Sequence, residues 1–486
     1  MLKIAEVAEC AANLIDPVRP TPLEALGGSA FSRVADAKFS EGNSLRVLCD
    51  GTENYPVWLA AIASATRTIH LENYILADDE IGQTFSNALA NAAARGVRCR
   101  VLYDWMGCTT QSSKRYWDTL RSKGVDVRSY NPPKWFKGLA WISRDHRKLL
   151  CVDGNVAFTG GLCIGDKWVG NKKLNHPPWR DTAIEVQGPV VGDLELSFAD
   201  SWATAGPALP PEDHYLTKSR DRVGSMSMWV IAGRPNSMGL YRLEQLIAEI
   251  VEKSLWLTDA YFVATTGYVR ALCGAARAGV DVRLLVPGSS NWPIIGILSQ
   301  AGYRPLLEAG VRVFEWNGPM MHAKTAVADG CWSRIGSSNS NFASWISNRE
   351  LDVTIKDRQL AKEMETIFER DLRNATEIIL ISKTTGEIKQ TGQILKHRHH
   401  AHMGRFIAGI VSLGNIVGAS MSQRRTPGQA ERIVLSVGAS TFMIFGLFVL
   451  LWPHVFSIIL GSLSAFIGFS ILIRNRKIGV SRNNDP

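Results

Sequence analysis

Short Val-rich segments follow alanine-rich stretches at several points along the chain. Residues 85–95 and 268–277 have the pattern of helices, and each stretch is followed by a glycine that leads into an apolar run, at 96–102 and at 279–285. Glycine accepts the left-handed backbone that closes a helix, and β-branched residues favour strands. Helices that alternate with strands predict an α/β fold in which helices are layered on a sheet.

This pattern occurs twice, which predicts a duplication. The segment Thr68-Ile-His-Leu-Glu-Asn-Tyr-Ile75 corresponds to Leu255-Trp-Leu-Thr-Asp-Ala-Tyr-Phe262, and the strand candidates 124–128 and 310–314 also correspond. We expect two α/β/α sandwich halves that face each other across one shared cleft. The predicted divisions are an N-terminal segment (1–38), a first domain (39–204), a linker containing Gly and Pro (205–236) and a second domain (237–389).

The C-terminal part of the chain has a different pattern. From Ile433 to Ile473 it contains no Lys, Arg, Asp or Glu, and Trp452-Pro-His454 interrupts the apolar run. About 20 apolar residues span a bilayer, so the run predicts a transmembrane helical hairpin, with a buried helix pair as the alternative. Basic residues on both sides favour cytoplasmic ends at the inner membrane. We therefore expect a juxtamembrane linker (390–432), the hairpin (433–473) and a basic tail (474–486).

The composition favours an anionic partner. The 486 residues carry a formal net charge of +9, which suits nucleic acid and an anionic lipid surface equally well. The eight cysteines form no Cys-x-x-Cys pair, which argues against a zinc site and a disulfide framework. Four histidines within 396–402 are interpreted as part of a basic stretch against lipid head groups rather than as metal ligands. No metal or cofactor is expected.

One motif, a histidine and a lysine two positions apart followed by an aspartate, occurs twice with the same spacing. Its copies are His146, Lys148 and Asp153, then His322, Lys324 and Asp329. Residues two apart on a strand point to the same face, so each His-Lys pair projects together. Such groups can break a phosphate diester without a metal: one imidazole attacks phosphorus, the other transfers a proton, and the ammonium groups hold the non-bridging oxygens.

Each imidazole needs a carboxylate on its other nitrogen to hold the right tautomer. Asp181 and Glu350 follow the two glycine turns, at 160–161 and 336–339, in matching places. We expect Asp181 to orient His146 and Glu350 to orient His322, so that each pair lies within one half. The aspartates of the motif are expected to be structural residues where a strand turns: Asp153 and Asp329.

These residues resemble the phospholipase D superfamily, whose HxKxxxxD motif is present twice. The resemblance covers roughly residues 40–385, and stretches such as 70–75, 160–166 and 179–182 resemble bacterial cardiolipin synthases, with the second half most similar to the cardiolipin synthase B branch. The resemblance implies two phospholipase D-like halves that transfer a phosphatidyl group through a phosphatidyl-histidine intermediate. Two phosphatidylglycerols would be joined with release of glycerol, and relatives of this type favour His146 as the nucleophile.

The resemblance also implies phosphate contacts from the glycine turns, at Gly161 in the first copy and at Ser337 and Asn339 in the second. The family usually has Asn seventeen residues after the motif histidine, where Asn339 stands in the second copy. In the first copy this position is Cys163, which cannot donate an amide hydrogen bond. We therefore expect backbone N–H groups around Gly161 to bind the phosphate from the first half.

Three enzymatic functions fit the two motifs. A membrane-bound phosphatidyltransferase that acts on anionic phospholipids is preferred over a phospholipase D-type hydrolase, which uses the same intermediate but admits water as the acceptor. A nuclease is favoured only by the charge, and the hairpin argues against it, so no nucleic-acid partner is expected. The Trp-containing segments 132–141 and 292–298 are expected either at a membrane interface or packed in the interior.

Overall fold

The computed structural model describes residues 20–133, 143–171, 176–213 and 221–380, together with some residues between 443 and 465. The chain divides into two compact units, Met1–Val411 and Ser412–Pro486. None of the helices in the described part is both long enough and apolar enough to cross a membrane. The predicted hairpin lies mostly outside the described residues, and so do the His-rich stretch and most of the segment 132–141.

The helices and strands of the first half alternate as the sequence predicts. The helices are α1 (Pro22–Ala25), α2 (Gly28–Ala35), α3 (Asp50–Ser64), α4 (Glu80–Ala94), α5 (Trp105–Cys108), α6 (Lys114–Ser122) and α7 (Val190–Ala205). The strands are β1 (Lys38–Cys49), β2 (Thr68–Asn73), β3 (Arg98–Asp104), β4 (Asp126–Tyr130), β5 (Lys148–Val152), β6 (Val156–Gly160) and β7 (Thr182–Gln187). A short 3₁₀ helix covers Asp166–Trp168.

The second half repeats this order. Its helices are α8 (Gly239–Ile250), α9 (Thr266–Arg277), α10 (Pro293–Glu308) and α11 (Arg358–Leu372). Its strands are β8 (Met226–Gly233), β9 (Ser254–Thr258), β10 (Asp281–Pro287), β11 (Arg312–Trp316), β12 (Thr325–Ala328), β13 (Trp332–Gly336), β14 (Glu350–Lys356) and β15 (Ala375–Ile378).

The strands of both halves join in one sheet, in the order β15-β11-β10-β9-β12-β13-β14-β8-β1-β7-β6-β5-β2-β3-β4. The first half contributes the order β1-β7-β6-β5-β2-β3-β4, and the second half repeats it from β8 to β11 before adding β15 at the edge. The antiparallel pair β1–β8 joins the halves. The prediction of two similar α/β halves is therefore confirmed.

The predicted linker at 205–236 is wrong in its last part, because β8 lies within it. This strand pairs with β1 on one side and with β14 on the other. Its sequence, Met-Ser-Met-Trp-Val-Ile-Ala-Gly, is an apolar run typical of a strand buried on both faces. The Gly-Pro stretch that suggested a linker precedes the strand and does not extend into it.

The predicted helix-ending glycines have the expected backbone. Gly96 after α4 has a φ of 91°, and Gly279 after α9 has a φ of 96°. The amide of Val97 reaches back to the carbonyl of Ala92, which closes the helix and starts the next strand.

The apolar side chains form three clusters around this sheet. One cluster lies between the strands of the first half and helices α3 and α4. A second lies between the strands of the second half and helices α8 to α10. The third combines residues of both halves, including Leu149 and Phe198 with Leu351 and Phe368, and it includes residues of α7 and α11. This shared core holds the inner faces of the two halves together, and it brings their motif strands into one region.

Candidate active site

The two His-Lys pairs lie where the chain enters β5 and β12: Lys148 is the first residue of β5, His146 precedes that strand, and His322 and Lys324 precede β12. Each of these strands runs antiparallel to a neighbour, β2 or β9, so both pairs lie at the carboxyl end of the parallel strands. His146 is 9% exposed and His322 is 5% exposed, while both lysines are fully buried. The site is therefore largely shielded from water.

Each histidine is paired with a carboxylate of the opposite half. His146 Nδ1 lies 2.9 Å from Glu350 Oε2, and His322 Nδ1 lies 2.7 Å from Asp181 Oδ2. The sequence-based assignment, which paired each histidine with the carboxylate of its own half, is wrong. Both carboxylates do orient an imidazole, but they cross between the halves.

Backbone bridges between the halves explain this crossing. The amide of His146 donates to the carbonyl of Arg349 at 2.9 Å, and the amide of His322 donates to the carbonyl of Arg180 at 2.7 Å. Each arginine directly precedes one of the two carboxylates in the chain. The bridges therefore fix each carboxylate beside the histidine of the other half.

Burial determines the protonation of the imidazoles. It lowers the pKa of His146 to about 4 and that of His322 to about 3, although the facing carboxylates act in the opposite direction. Both imidazoles are neutral at neutral pH. With Nδ1–H donating to a carboxylate, each Nε2 carries a lone pair.

The lysines supply buried positive charge. Lys148 Nζ donates to the carbonyl of His146 at 2.5 Å, and Lys324 Nζ donates to the carbonyl of His322. Burial lowers the pKa of Lys324 to about 8, and the charge of Lys148 also lowers it. Lys148 acts on the pKa of His322 as well, which shows that the two motifs share one electrostatic site.

The aspartates of the motif lie away from this site. Asp153 accepts hydrogen bonds from the amides of residues 66, 67 and 68, each at 2.8 Å, and Asp329 accepts from those of residues 252, 253 and 254. The length of β5 separates Asp153 from Lys148 by about 16 Å, at about 3.3 Å per residue. Both aspartates therefore join the end of one strand to the start of its neighbour, the structural role that we expected.

The two glycine turns lie against Asp181 and Glu350, the carboxylates that orient the histidines. The amide of Gly161 donates to the carbonyl of Thr182 at 3.0 Å, so this N–H group is not free for a phosphate, and binding by the neighbouring N–H groups stays a prediction. A Cβ at Gly161 would lie 2.0 Å from Asp181 Oδ1, so a glycine leaves the room that this carboxylate needs. In the second turn, Ser337 Oγ donates to Glu350 Oε2 at 2.5 Å.

Asn339 in the second turn and Cys163, just after the first turn, are both buried. The side-chain oxygen of Asn339 has no hydrogen-bond partner among the described residues. Burial raises the pKa of the Cys163 thiol, and the nearby charge of Lys148 opposes that rise. The thiol is therefore neutral, and it lies close to Lys148.

Two tyrosines that sequence reasoning did not assign also belong to the site. The ring of Tyr74 lies 4.9 Å from the ring of His146 and 5.2 Å from Lys148 Nζ. Tyr261 occupies the corresponding place, 6.1 Å from His322 and 5.9 Å from Lys324 Nζ. Their matching positions in the two repeated segments were the available signal.

Two tryptophans of the first half surround the histidine of the second. The rings of Trp168 and Trp179 lie 5.7 and 5.5 Å from that of His322. Trp168 Nε1 also donates to Asp181 Oδ2 at 2.9 Å. These tryptophans shield the Asp181–His322 pair, and their proximity arises from the contact between the halves.

No group of three His, Cys, Asp or Glu side chains in the described ranges is arranged to hold a metal ion. Outside the buried centre, Trp292 is 63% exposed at the start of α10 and Ile297 is 56% exposed. Asn291, which precedes Trp292 in the chain, accepts a hydrogen bond from the Tyr261 hydroxyl at 2.7 Å. An apolar surface therefore adjoins the site.

Two crossed histidine–carboxylate pairs and two buried lysines in a duplicated α/β fold define a phospholipase D-type site. The family model described as "Cardiolipin synthase, PLD-like domain" matches residues 58–171 and 245–372. The chain is 34% identical over 357 residues to a cardiolipin synthase of Halalkalibacterium halodurans, covering 71% of this chain and 69% of the relative. A cardiolipin synthase of a Geobacillus species is 32% identical over 356 residues, with the same coverage.

A solved structure shares the fold. The crystal structure of phosphatidylserine synthase from Haemophilus influenzae has a TM-score of 0.60 and 13% sequence identity, and the match covers 80% of this chain and 98% of that chain. The chain belongs to the cardiolipin synthase family of the phospholipase D superfamily. It is an enzyme, a phosphatidyltransferase.

Proposed function

We propose that this enzyme joins two phosphatidylglycerols into cardiolipin and releases glycerol, through a phosphatidyl-histidine intermediate. The observation that carries the proposal is the crossed pairing of His146 with Glu350 and of His322 with Asp181 around two buried lysines. This arrangement holds two neutral imidazoles beside fixed positive charge, as transfer of a phosphodiester requires.

In the first step, Nε2 of one histidine attacks the phosphorus of the first phosphatidylglycerol. A P–N bond forms and the P–O bond to glycerol breaks, while the other histidine gives a proton to the departing oxygen. The negative charge of a bound phosphodiester raises the pKa of a nearby imidazole, so this second histidine can carry a proton in the complex. The family resemblance favours His146 for the attack and His322 for the proton transfer.

In the second step, a hydroxyl of the second phosphatidylglycerol gives its proton to the second histidine and attacks phosphorus. The P–N bond breaks, cardiolipin forms and the nucleophile is restored. Lys148 and Lys324 hold the non-bridging oxygens, together with the side-chain amide of Asn339 in the second turn. Ser337 donates its hydroxyl to Glu350 and its amide to the carbonyl of Leu351, so the expected phosphate contact of Ser337 is not part of the proposal. The small exposure of the site supports a lipid alcohol over water as the acceptor.

The test is to incubate the purified enzyme with labelled phosphatidylglycerol and to separate the products. Cardiolipin with free glycerol is expected, and phosphatidic acid alone would overturn the proposal in favour of a hydrolase. His146→Ala and His322→Ala should each abolish turnover. His70→Asn is a matched control, because His70 is a buried imidazole that bonds Glu195 and not the two carboxylates of the site.

The substrate implies a membrane, and we propose that the hairpin at 433–473 anchors the enzyme with both ends in the cytoplasm. The apolar run without charged residues and its basic flanks support the proposal. Several of its described side chains are also large, apolar and exposed, including Met443 at 76% and Leu450 at 78%. A chain that ends at residue 432 should float with lipid vesicles much less than the full chain, and full retention of flotation would contradict the anchor.

A second membrane contact is proposed at Trp292 and Ile297. Both side chains are exposed at the start of α10, and the hydrogen bond from Tyr261 to Asn291 connects this segment to the site. Tryptophan suits the interface of a bilayer, and acyl chains of a bound phospholipid must leave the site towards the membrane.

A further inference from the structure

Asn73 lies at the end of β2, directly opposite Lys148 of β5. Two other pairs of this register that share its face, Leu71 with Leu150 and Ile69 with Val152, pack into the apolar core between the first half's strands and helices. Side chains of directly opposed residues lie on the same face, with Cβ atoms about 5 Å apart. The side chain of Asn73 therefore lies on the same face of the sheet as that of Lys148 and next to it.

This amide is buried and unpaired. Asn73 is 2% exposed, and neither its Oδ1 nor its Nδ2 has a hydrogen-bond partner among the described residues. Buried polar groups are normally hydrogen-bonded, and one that is not calls for an explanation such as a ligand. A phosphate oxygen bound at Lys148 would be an acceptor for the NH2 group of this amide.

The second half has a carboxylate at the corresponding place. The register Thr325–Thr258 between β12 and β9, continued by one residue, sets Lys324 opposite Asp259. The sequence comparison of the two segments matched Asn73 with Ala260, so the structure shifts the correspondence by one residue. Asp259 accepts hydrogen bonds from the amides of Tyr261 at 2.8 Å and Ser340 at 2.6 Å.

The bond from Ser340 to Asp259 shows that the strand position and the turn position are spatial neighbours, because Ser340 directly follows Asn339. The second half thus has an amide in the turn, at Asn339, and a carboxylate in the strand. The first half has a thiol in the turn, at Cys163, and an amide in the strand, at Asn73. The side-chain amide therefore occupies the turn position in the second half and the strand position in the first half.

We propose that Asn73 binds the phosphate of the substrate and supplies the amide hydrogen bond that Cys163 cannot donate. Asn73 Nδ2 donates to a non-bridging oxygen that Lys148 also holds. Cys163 remains a neutral thiol, so it brings no negative charge against the phosphate. This inference rests on the proposed function, because it assigns a further substrate contact within the same site.

The test compares Asn73→Ala with the double variant Asn73→Ala/Cys163→Asn. Loss of one hydrogen bond to the transition state lowers kcat by a factor on the order of 10² to 10³, so Asn73→Ala should lose about that much. The double variant should regain most of the loss, because the amide returns to the turn. Competitive inhibition by inorganic phosphate should weaken in the single variant and recover in the double variant.

Thermal unfolding separates this role from a structural one. The free Asn73→Ala protein should keep or raise its Tm, since the variant removes an unpaired buried amide. Asn43→Ala is the matched control, because the Asn43 side chain bonds Ser40, Met226 and Val190, so its loss should lower the Tm but leave phosphate inhibition unchanged.

Three outcomes would overturn the inference: unchanged turnover and phosphate inhibition in Asn73→Ala, a lowered Tm in that variant, or no recovery in the double variant. Phosphate inhibition also separates this inference from the proposed function. If the wild-type enzyme hydrolyses phosphatidylglycerol without forming cardiolipin, the proposed function fails. Weaker inhibition in Asn73→Ala would still support the phosphate contact.

Discussion

Replacement of Asp181 by Asn tests the crossed pairing of the histidines. Asp181 Oδ2 accepts hydrogen bonds from His322 Nδ1 at 2.7 Å and from Trp168 Nε1 at 2.9 Å, while Oδ1 accepts from the amide of Thr182 at 2.9 Å. All three contacts are donors to the carboxylate. An Asn side chain has one acceptor oxygen, so its NH2 group must face at least one of these donors.

Both orientations of the substituted amide are therefore unfavourable. A buried donor without an acceptor costs about 1–3 kcal/mol, and we expect the free energy of unfolding to fall by about that amount. When the NH2 group faces His322, the imidazole satisfies it by moving its proton to Nε2. That tautomer can neither attack phosphorus nor accept a proton. The same loss of tautomer control in a serine protease triad lowers kcat about 10⁴-fold, so we expect a loss on the order of 10³ to 10⁴.

The assay combines turnover of phosphatidylglycerol with ¹⁵N NMR of labelled histidine. In Asp181→Asn the ring nitrogens of His322 should change their shifts, and those of His146 should stay close to the wild-type values. In Glu350→Gln the ring nitrogens of His146 should change their shifts, and those of His322 should stay close to the wild-type values. The crossed pairing would be refuted if Asp181→Asn changed the signals of His146 and left those of His322 unaltered.

Three further predictions concern the charge, the scaffold and the surface of the site. Because the pKa of Lys324 is about 8, its ammonium group loses its charge above that pH, and kcat/KM should fall about tenfold per pH unit. Lys324→Arg should move this fall to higher pH, and a pH profile of kcat/KM that does not move would contradict the prediction. Asp153→Ala leaves the amides of residues 66, 67 and 68 without their acceptor, so it should lower the free energy of unfolding by about 1–3 kcal/mol and leave kcat of the folded enzyme unchanged. A loss of kcat at full stability would instead indicate a catalytic role for Asp153. In the chain that ends at residue 432, Trp292→Ser with Ile297→Ser should weaken the remaining binding to anionic vesicles in a flotation assay and leave turnover of a soluble short-chain substrate intact, and equal losses in both assays would argue against a membrane contact.

The sequence by itself determined the features that depend on local geometry. Helix-ending glycines such as Gly96 and Gly279 mark where a helix passes into a strand, because the left-handed backbone favours glycine. The two-residue alternation of a strand puts His146 with Lys148, and His322 with Lys324, on one face. The duplication then followed from equal spacing of the two motifs. These relations involve residues close in the chain, so they could be predicted without knowledge of the packing.

The tertiary structure decided which groups meet across the halves. Asp181 and Glu350 occupy equivalent places, so nothing in their local sequence distinguishes one imidazole partner from the other. The imidazole that each carboxylate binds depends on the backbone hydrogen bonds from His146 to Arg349 and from His322 to Arg180. These bonds form because the inner faces of the two halves share one core. The strand register likewise paired Asn73 with Lys148, and it set Asp259 rather than Ala260 opposite Lys324. Contacts between residues far apart in the chain arise from packing, and only the folded protein defines them.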